Sequence, residues 1–294
     1  MTTVTDWHAH LWPRAYVDFL DAHGQDCRHQ RGVPPGDDSP AMLRRRLQQM
    51  DDSGIDRQVL NAAALYPGLA PPGRNAQAAR LANEAMAEAV RADPSRFAFL
   101  GMLPLPLVAD SLRELDHLMN RLGARGVVLP PALHGTSTLD SQYDPLYAQL
   151  DRARAAVLYH PAGSRAGPSL CPPDAVTWSV GAIAEQTTLV LDWLAADMSD
   201  RFPCIRPIVS RAGGACFLLD PDTVQGVATS TLCFDSHTQG NAAALHLAER
   251  QVGRRRILLG TDYPFVRDAR LAETVRQFRA VAGDVYRAAR ASRR

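Results

Sequence analysis

Short apolar runs alternate along the chain with longer segments in which apolar residues recur every three to four positions. Short runs are typical of buried strands, and the longer period indicates amphipathic helices. The pattern predicts eight strands, at 4–10, 57–63, 97–105, 126–130, 156–162, 206–214, 231–237 and 256–265. Several of the intervening helical segments begin at Ser, Asp or Asn and end at Gly or Pro. This alternation predicts an α/β fold, a (β/α)8 TIM barrel, with residues 1–294 as a single domain.

An open, doubly wound sheet is the alternative to a barrel. No G-x-G-x-x-G follows the first candidate strand, and no linker-like stretch divides the chain, so the barrel is favoured. The Pro/Gly-rich segments 31–40 and 66–74 follow strand ends, where a barrel carries the loops of its catalytic face.

Composition excludes several classes of partner. The formal net charge is +1 and no long basic run occurs, which argues against nucleic acid and against a membrane surface as partners. No apolar run approaches the roughly 20 residues that span a bilayer, and no secretory signal is recognised. The five cysteines are scattered and never form C-x-x-C, which is typical of reduced thiols and predicts a cytoplasmic protein.

The chain contains no lysine, so all 32 of its basic residues are arginine. Schiff-base, pyridoxal-phosphate and P-loop chemistries each need a lysine and are therefore excluded.

Polar side chains at strand ends suggest a metal site. His8 and His10 lie two residues apart in the first candidate strand, so their side chains share one face. His160 ends the fifth strand and Asp262 the eighth, although each alone is compatible with an ordinary loop or cap residue. Because catalytic residues of such barrels lie at the carboxyl ends of strands, we expect these four to meet. Three imidazoles and one carboxylate suit one divalent ion, with Zn²⁺ expected and Mn²⁺ as the alternative.

Four separated motifs resemble the amidohydrolase-related branch of the amidohydrolase superfamily, which includes aminocarboxymuconate-semialdehyde decarboxylase. They are "DWHAH", "LYHPAG", "AEQTTLVLDWLAADMSDRFPCIRPIVSRAGG" and "LAERQVGRRRILLGTDYPF", in that order from His8 to about Phe265. The resemblance implies a barrel, a zinc-type ion held by His8, His10, His160 and Asp262, and a decarboxylation or a related hydrolysis or hydration. Binuclear members bridge two ions with a carboxylated lysine on the fourth strand, and "GVVLPP" offers neither Lys nor Glu.

The chain departs from the family after the sixth strand. There the family usually reads H-G-G-G, with a catalytic histidine, whereas this chain reads "SRAGG" with Arg211 in that place. Arginine stays protonated and cannot act as a base, but it binds a carboxylate through two parallel hydrogen bonds. We therefore assign Arg211 to substrate binding. His237, in "CFDSHTQG", is the candidate for proton transfer, with a metal-bound water acting alone as the alternative, and Asp235 either orients His237 or caps the next helix.

The expected function is a metal-dependent lyase that decarboxylates a small unsaturated or aromatic acid, with Arg211, His237 and Asp262 as catalytic residues. A hydrolase of an amide, lactone or C–C bond is the first alternative, and a catalytically inactive barrel used for binding is the second. The expected partners are a small acidic substrate and, from the resemblance alone, a second copy of the chain in a homodimer. One arginine of 44–46 is a candidate for binding a substrate carboxylate, and Trp12 and Trp178 are candidates for lining the pocket.

Overall fold

The computed structural model describes residues 3–25, 27, 38–63, 65–162 and 177–283. Within them lie ten strands: β1 Thr5–His10, β2 Arg57–Asn61, β3 Phe97–Phe99, β4 Gly126–Leu129, β5 Ala132–Leu133, β6 Thr136–Ser137, β7 Ala156–Tyr159, β8 Arg206–Val209, β9 Cys233–Asp235 and β10 Ile257–Leu258. Eight of these match the eight predicted positions. The exceptions, β5 and β6, pair with each other as a short antiparallel hairpin.

The eight strands other than β5 and β6 are parallel and form a closed ring. One sheet has the order β1-β2-β3 and the other β10-β9-β8-β7-β4. A parallel bridge between Gly101 and Val127 joins the sheets on one side, and a bridge between Ala9 and Tyr263 joins them on the other. The second seam is reinforced by the Asp262 N–H, which donates to the His8 carbonyl at 2.8 Å. The predicted barrel fold is confirmed, while the single-domain organisation of 1–294 stays a prediction.

Helices follow the barrel strands on the outside of the ring. They are α1 Arg14–Ala22, α2 Pro40–Ser53, α3 Arg74–Ala92, α4 Val108–His117, α5 Asp144–Arg152, α6 Ala182–Ala195, α7 Met198–Arg201, α8 Pro221–Thr229, α9 Ala242–Val252 and α10 Ala269–Ala282. Helices α1 and α8 were not predicted, because each contains only about two turns and short helices carry little periodicity.

The third barrel strand is shorter than predicted. Its ladder ends at Phe99, although the apolar run continues to Leu105. Pro104 and Pro106 have no N–H to donate to a neighbouring strand, so the chain leaves the sheet while staying buried. The run therefore lines the barrel mouth instead of extending its wall.

Close packing at β4 depends on one glycine. A Cβ at Gly126, where φ is +148°, would lie 1.8 Å from the Ala156 carbonyl oxygen of the neighbouring β7. Only glycine allows this approach and this backbone conformation together. Among the described residues no helix is long and apolar enough to cross a membrane.

Candidate metal centre and active site

Four side chains from three strand ends meet at the mouth of the barrel. His8, His10, His160 and Asp262 are all buried and each offers one ligand atom, and these atoms lie within 4.8 Å of one another. The Nε2 atom of His10 is 2.9 Å from Asp262 Oδ1 and 3.2 Å from His8 Nε2. His8 Nε2 lies 3.3 Å from the same Asp262 oxygen. The structure thus brings together the four residues expected from the sequence.

A local irregularity in β1 aims His8 into this cluster. The register of β1 against β2 shifts between Asp6 and Ala9, which indicates a bulge. The backbone N–H of His8 donates to Asp6 Oδ1 at 3.1 Å and is thereby satisfied by a side chain of its own strand. Asp6 also accepts from the Thr261 hydroxyl at 2.6 Å, so it connects β1 to the loop that carries Asp262.

Each of the three histidines has its Nδ1 atom bound to an oxygen. His8 Nδ1 contacts Asp235 Oδ2 at 2.5 Å, and His160 Nδ1 contacts the Pro161 carbonyl at 2.7 Å. His10 Nδ1 contacts Asn61 Oδ1 at 3.0 Å. Asn61 Oδ1 is an acceptor there, because it also takes the Ala63 N–H while the Asn61 amide donates to the Ala9 carbonyl. All three Nδ1 atoms therefore donate, and all three Nε2 atoms present a lone pair to the cluster.

This arrangement fits a cation. Two lone pairs 3.2 Å apart and a carboxylate oxygen repel one another unless positive charge lies between them. Ligand atoms about 2.0–2.1 Å from a tetrahedral ion are roughly 3.3 Å apart, close to the separations among His8, His10 and Asp262. The donor set suits a borderline divalent ion such as Zn²⁺ or Mn²⁺. The cluster is a metal site.

The pKa shifts of the clustered residues also indicate that the cluster favours positive charge. Burial disfavours a charge on His8, but Asp235 and Asp262 outweigh burial and raise its pKa to about 10. Burial, followed by the positive charge of His8 and His10, lowers the pKa of His160 well below its ordinary value. Burial also favours the neutral form of Asp262, yet the facing histidines, His237 first, hold its pKa well below the usual range. The two carboxylates thus favour a positive charge inside the cluster, which a proton on His8 or a bound cation can provide.

The sequence analysis missed the role of Arg46. Arg44 and Arg45 are exposed, whereas Arg46 is only 1% exposed. Its guanidinium donates to the His10 carbonyl at 2.6 Å and stacks over the Tyr263 ring, 4.4 Å from the ring centre. Arg46 therefore holds β1 against the loop of Asp262. Its helical position alone gave no signal of this contact.

Arg211 lies at the end of β8 in a left-handed conformation, with φ +55°. Its backbone N–H donates to Asp235 Oδ1 at 2.8 Å, which fixes the turn. The side chain is 9% exposed, and its buried Nε–H has no partner in the described parts of the chain. An unpartnered donor on a buried guanidinium is a place for an anion.

His237 faces the cluster from the end of β9. Its Nε2 atom is 3.1 Å from Asp262 Oδ2, without hydrogen-bond geometry. Burial lowers the pKa of His237 to about 4, despite the nearby Asp262. Asp235 Oδ1 accepts the backbone N–H of His237 at 3.1 Å, while Asp235 Oδ2 accepts the His8 Nδ1–H. Of the two tasks expected of it, Asp235 orients His237, through the backbone rather than the ring, while Asn241 caps the next helix.

The opposite side of the mouth is apolar. A small cavity, open to solvent, lies at the ends of β2, β3 and β4 and is lined by Tyr66, Pro67, Leu103, Leu105, Val128, Leu129, Pro130 and Leu133. The Tyr66 hydroxyl is buried and has no partner among the residues described. Trp12 is fully buried and stacks on His10 at 5.2 Å, so it supports the cluster from below. The side chain of Trp178 lies outside the described set.

Comparison with known proteins agrees with this geometry. The family model for amidohydrolases matches residues 5–288. The chain is 24% identical to 2-amino-3-carboxymuconate-6-semialdehyde decarboxylase of Dictyostelium discoideum over 260 residues, covering 79% of this chain and 70% of that one. It superposes on 5-carboxyvanillate decarboxylase of Sphingomonas paucimobilis with a TM-score of 0.77 at 22% identity, covering 98% of each chain. It also superposes on a dihydroxybenzoic acid decarboxylase of Polaromonas sp., solved with manganese and 2-nitroresorcinol, with a TM-score of 0.71 at 18% identity and 98% coverage of each chain.

We expect Asp235→Asn to weaken divalent-ion binding by roughly 10- to 100-fold while the barrel stays folded. The asparagine oxygen can still accept the backbone N–H groups, but its amide cannot accept the His8 Nδ1–H. His8 then moves its proton to Nε2 and loses the lone pair that faces the ion. Titration with Zn²⁺ against a chelator measures the change. Asp220→Asn, at an exposed helix cap, is the control, and equal affinities in both variants would contradict the tautomer argument.

Proposed function

Because the chain belongs to the amidohydrolase family, we propose that it is a metal-dependent carboxy-lyase that decarboxylates a small unsaturated or aromatic acid. The observation that carries the proposal is the convergence of three Nε2 lone pairs and one carboxylate near a buried arginine, whose Nε–H has no partner among the described residues. The similar proteins named above are decarboxylases of such acids, which supports the substrate class.

The proposed ligands are His8, His10, His160 and Asp262, which would hold one divalent ion. We favour Zn²⁺ for this donor set, and Mn²⁺ is the alternative because a similar structure was solved with manganese. When bound, such an ion withdraws electron density from the substrate as CO₂ leaves. A single ion is favoured because β4, Gly126–Leu129, provides no bridging Lys or Glu.

Arg211 would bind the acidic group of the substrate. Its guanidinium is buried, its Nε–H is available, and its backbone is held by Asp235, so the fork enters the pocket in a defined orientation. Across the mouth, the apolar cavity beside Tyr66 suits the flat face of a ring. The substrate would thus lie between an arginine and an apolar wall, with the ion site below.

His237 would act on the ion side of the pocket. Its Nε2 lies 3.1 Å from the second oxygen of Asp262 without hydrogen-bond geometry, and it would exchange its proton with a water on that side of the pocket. We propose His237 as the proton-transfer group of that side and Asp262 as its partner.

A cytoplasmic location remains part of the proposal. Cys27, Cys204, Cys216 and Cys233 are free thiols, as expected in a reducing compartment, and Cys171 lies outside the described residues.

Metal analysis combined with CO₂ detection tests the proposed function. We expect one ion per chain after purification in metal-supplemented medium, and CO₂ release from at least one member of a panel of phenolic and unsaturated carboxylic acids. Chelation should abolish the release, and re-addition of the ion should restore it. Formation of a carboxylic acid from amides or lactones would favour the hydrolase instead. A protein without bound metal and without turnover would favour the inactive barrel.

Arg211→Lys should lower kcat/KM about 10- to 100-fold, because an ammonium cannot reproduce the two-pronged contact. The loss corresponds to about 1.5–3 kcal/mol, the usual worth of a charge-assisted hydrogen bond. Arg250→Lys, on an exposed helix face, is the matched control. Arg211→His should not raise activity on the native substrate, and a faster enzyme would contradict the binding role.

His237→Ala is the companion variant of that series. A proton-transfer role predicts a loss of kcat on the order of 10²–10⁴ with the metal retained. An unchanged kcat would remove His237 from the mechanism and leave the rest of the proposal standing.

We also propose a homodimer, in which a second copy covers apolar side chains near the barrel mouth. Ile183 and Leu191 on α6 are 39% and 40% exposed, and Leu218 after β8 is 75% exposed. Light scattering at micromolar concentration should give twice the chain mass, and Leu218→Asp should shift the protein towards the monomer. A stable monomer of the unmodified chain would remove this part of the proposal.

A further inference from the structure

Decarboxylation needs a proton at the carbon that loses CO₂. The residue at the end of β8 is Arg211, which stays protonated and cannot deliver one. His237 faces Asp262 Oδ2 at 3.1 Å and therefore points towards the ion site. The pocket needs a further acid on the side of Arg211.

Glu185 is the carboxyl group at that place. It lies near the start of α6 and is partly buried, on the same helix face as the fully buried Ala182 and Gln186. Its Oε2 atom accepts the Ala162 N–H at 3.1 Å, two residues after His160. Glu185 is thus attached to the end of the fifth barrel strand, β7, beside the metal cluster.

The same helix turn is packed against the loop that follows Arg211. A Cβ at Gly214 would lie 2.4 Å from the Ile183 carbonyl oxygen, so helix and loop are in direct contact. The Thr187 hydroxyl accepts the Ala215 N–H at 2.8 Å. Glu185 belongs to this turn, and its own contact to the Ala162 N–H places its carboxyl at the end of β7, the strand next to β8.

Two groups of the pocket interact electrostatically with Glu185. Burial raises the pKa of Glu185 to about 7, and the Ala162 N–H and the Arg211 charge only partly offset burial. Burial, then Tyr16 and Glu185, raises the pKa of Tyr66 well above its ordinary value. Within the described parts of the chain, Arg211 and Tyr66 are the titratable groups of neighbouring elements that interact with Glu185, and Tyr66 also lines the apolar cavity. A carboxyl with such a pKa is about half protonated at neutral pH, whereas an ordinary glutamic acid is almost entirely ionised.

We propose that Glu185 is the general acid that protonates the substrate carbon, in place of the histidine that the chain lacks after β8. This inference rests on the proposed decarboxylase function. The Glu185 O–H bond breaks and a C–H bond forms at the carbon that carries the carboxylate. The bond from that carbon to the carboxylate carbon then breaks, its electron pair returns to the substrate, and CO₂ leaves. The Glu185 carboxylate recovers its proton from water, so the step needs no oxidant or reductant.

The test is Glu185→Gln, assayed with an acid from the panel that the parent enzyme decarboxylates. Glutamine keeps an oxygen that accepts the Ala162 N–H but has no proton to give, so it separates proton transfer from support of the loop. We expect kcat to fall by a factor on the order of 10²–10⁴ while KM and metal content stay unchanged. Asp192→Asn is the control. It changes a half-buried carboxylate two turns further along the same helix, whose partner is the Ser137 hydroxyl, and should leave kcat unchanged.

The pH profile gives a second readout. The protonated form of Glu185 is the active one, so kcat of the parent enzyme should fall as pH rises through about 7. Glu185→Gln should lose this fall and keep a flat, low rate, and Asp192→Asn should retain it. A fall of the same midpoint in Glu185→Gln would assign the titration to another group and overturn the proposal.

Exchange of product hydrogen in D₂O provides a third readout, which does not need CO₂ detection. By microscopic reversibility, the group that protonates the carbon also removes that proton, so the parent enzyme should exchange it for deuterium and Glu185→Gln should not. Undiminished exchange, or loss of the metal in Glu185→Gln, would overturn the role of Glu185 alone. Absence of CO₂ release by the parent enzyme from every acid would instead overturn the proposed function.

Discussion

The carboxylate of Asp235 is the contact on which the site depends. One of its oxygens accepts the His8 Nδ1–H at 2.5 Å, and the other accepts the backbone N–H groups of Arg211 and His237 at 2.8 and 3.1 Å. A single buried side chain on β9 thus fixes a ring tautomer on β1 and the turns after β8 and β9. Gly260 permits this, since a Cβ there would lie 2.7 Å from the Asp235 Cβ. Removing one acceptor therefore disturbs three strand ends together.

The barrel mouth is divided into two halves of opposite character. The ends of β1, β7, β8, β9 and β10 carry the histidines, the carboxylates and Arg211, whereas the ends of β2, β3 and β4 carry an apolar cavity. Opposite charges in the first half attract strongly because water is excluded, and a missing cation leaves a buried imbalance there. A flat acid satisfies both halves at once, with its ring on the apolar wall and its carboxylate towards the cations. The shape and the electrostatics of the mouth thus select the same class of ligand.

The barrel and the four clustered residues were predictable from the sequence, because both follow from patterns within short segments of the chain. Strand periodicity identified the eight strands, and polar residues at strand ends identified His8, His10, His160 and Asp262. The supporting contacts were not predictable, because they join residues far apart in sequence. The Arg46 contact to the His10 carbonyl spans 36 positions, and a triple-arginine helix segment reads as a solvated face. The contact of Asp235 to His8 was missed for the same reason, since the two residues are 227 positions apart.

Arg211, Ala212 and Asp262 all have positive φ, with values of 55°, 48° and 61°. Non-glycine residues adopt this conformation at some energetic cost, and the surrounding contacts must hold it in place. At position 211 the holding contact is made by the backbone amide and does not involve the side chain. The backbone of this turn can therefore keep its conformation when the side chain changes, and each side chain at position 211 starts from the same point in the pocket. A histidine codon and an arginine codon can differ by one nucleotide. A single mutation at position 211 can therefore replace a histidine that transfers protons by an arginine that binds anions, without a change in the turn after β8. New substrate preferences can thus evolve in this barrel before the backbone of its strands and turns changes.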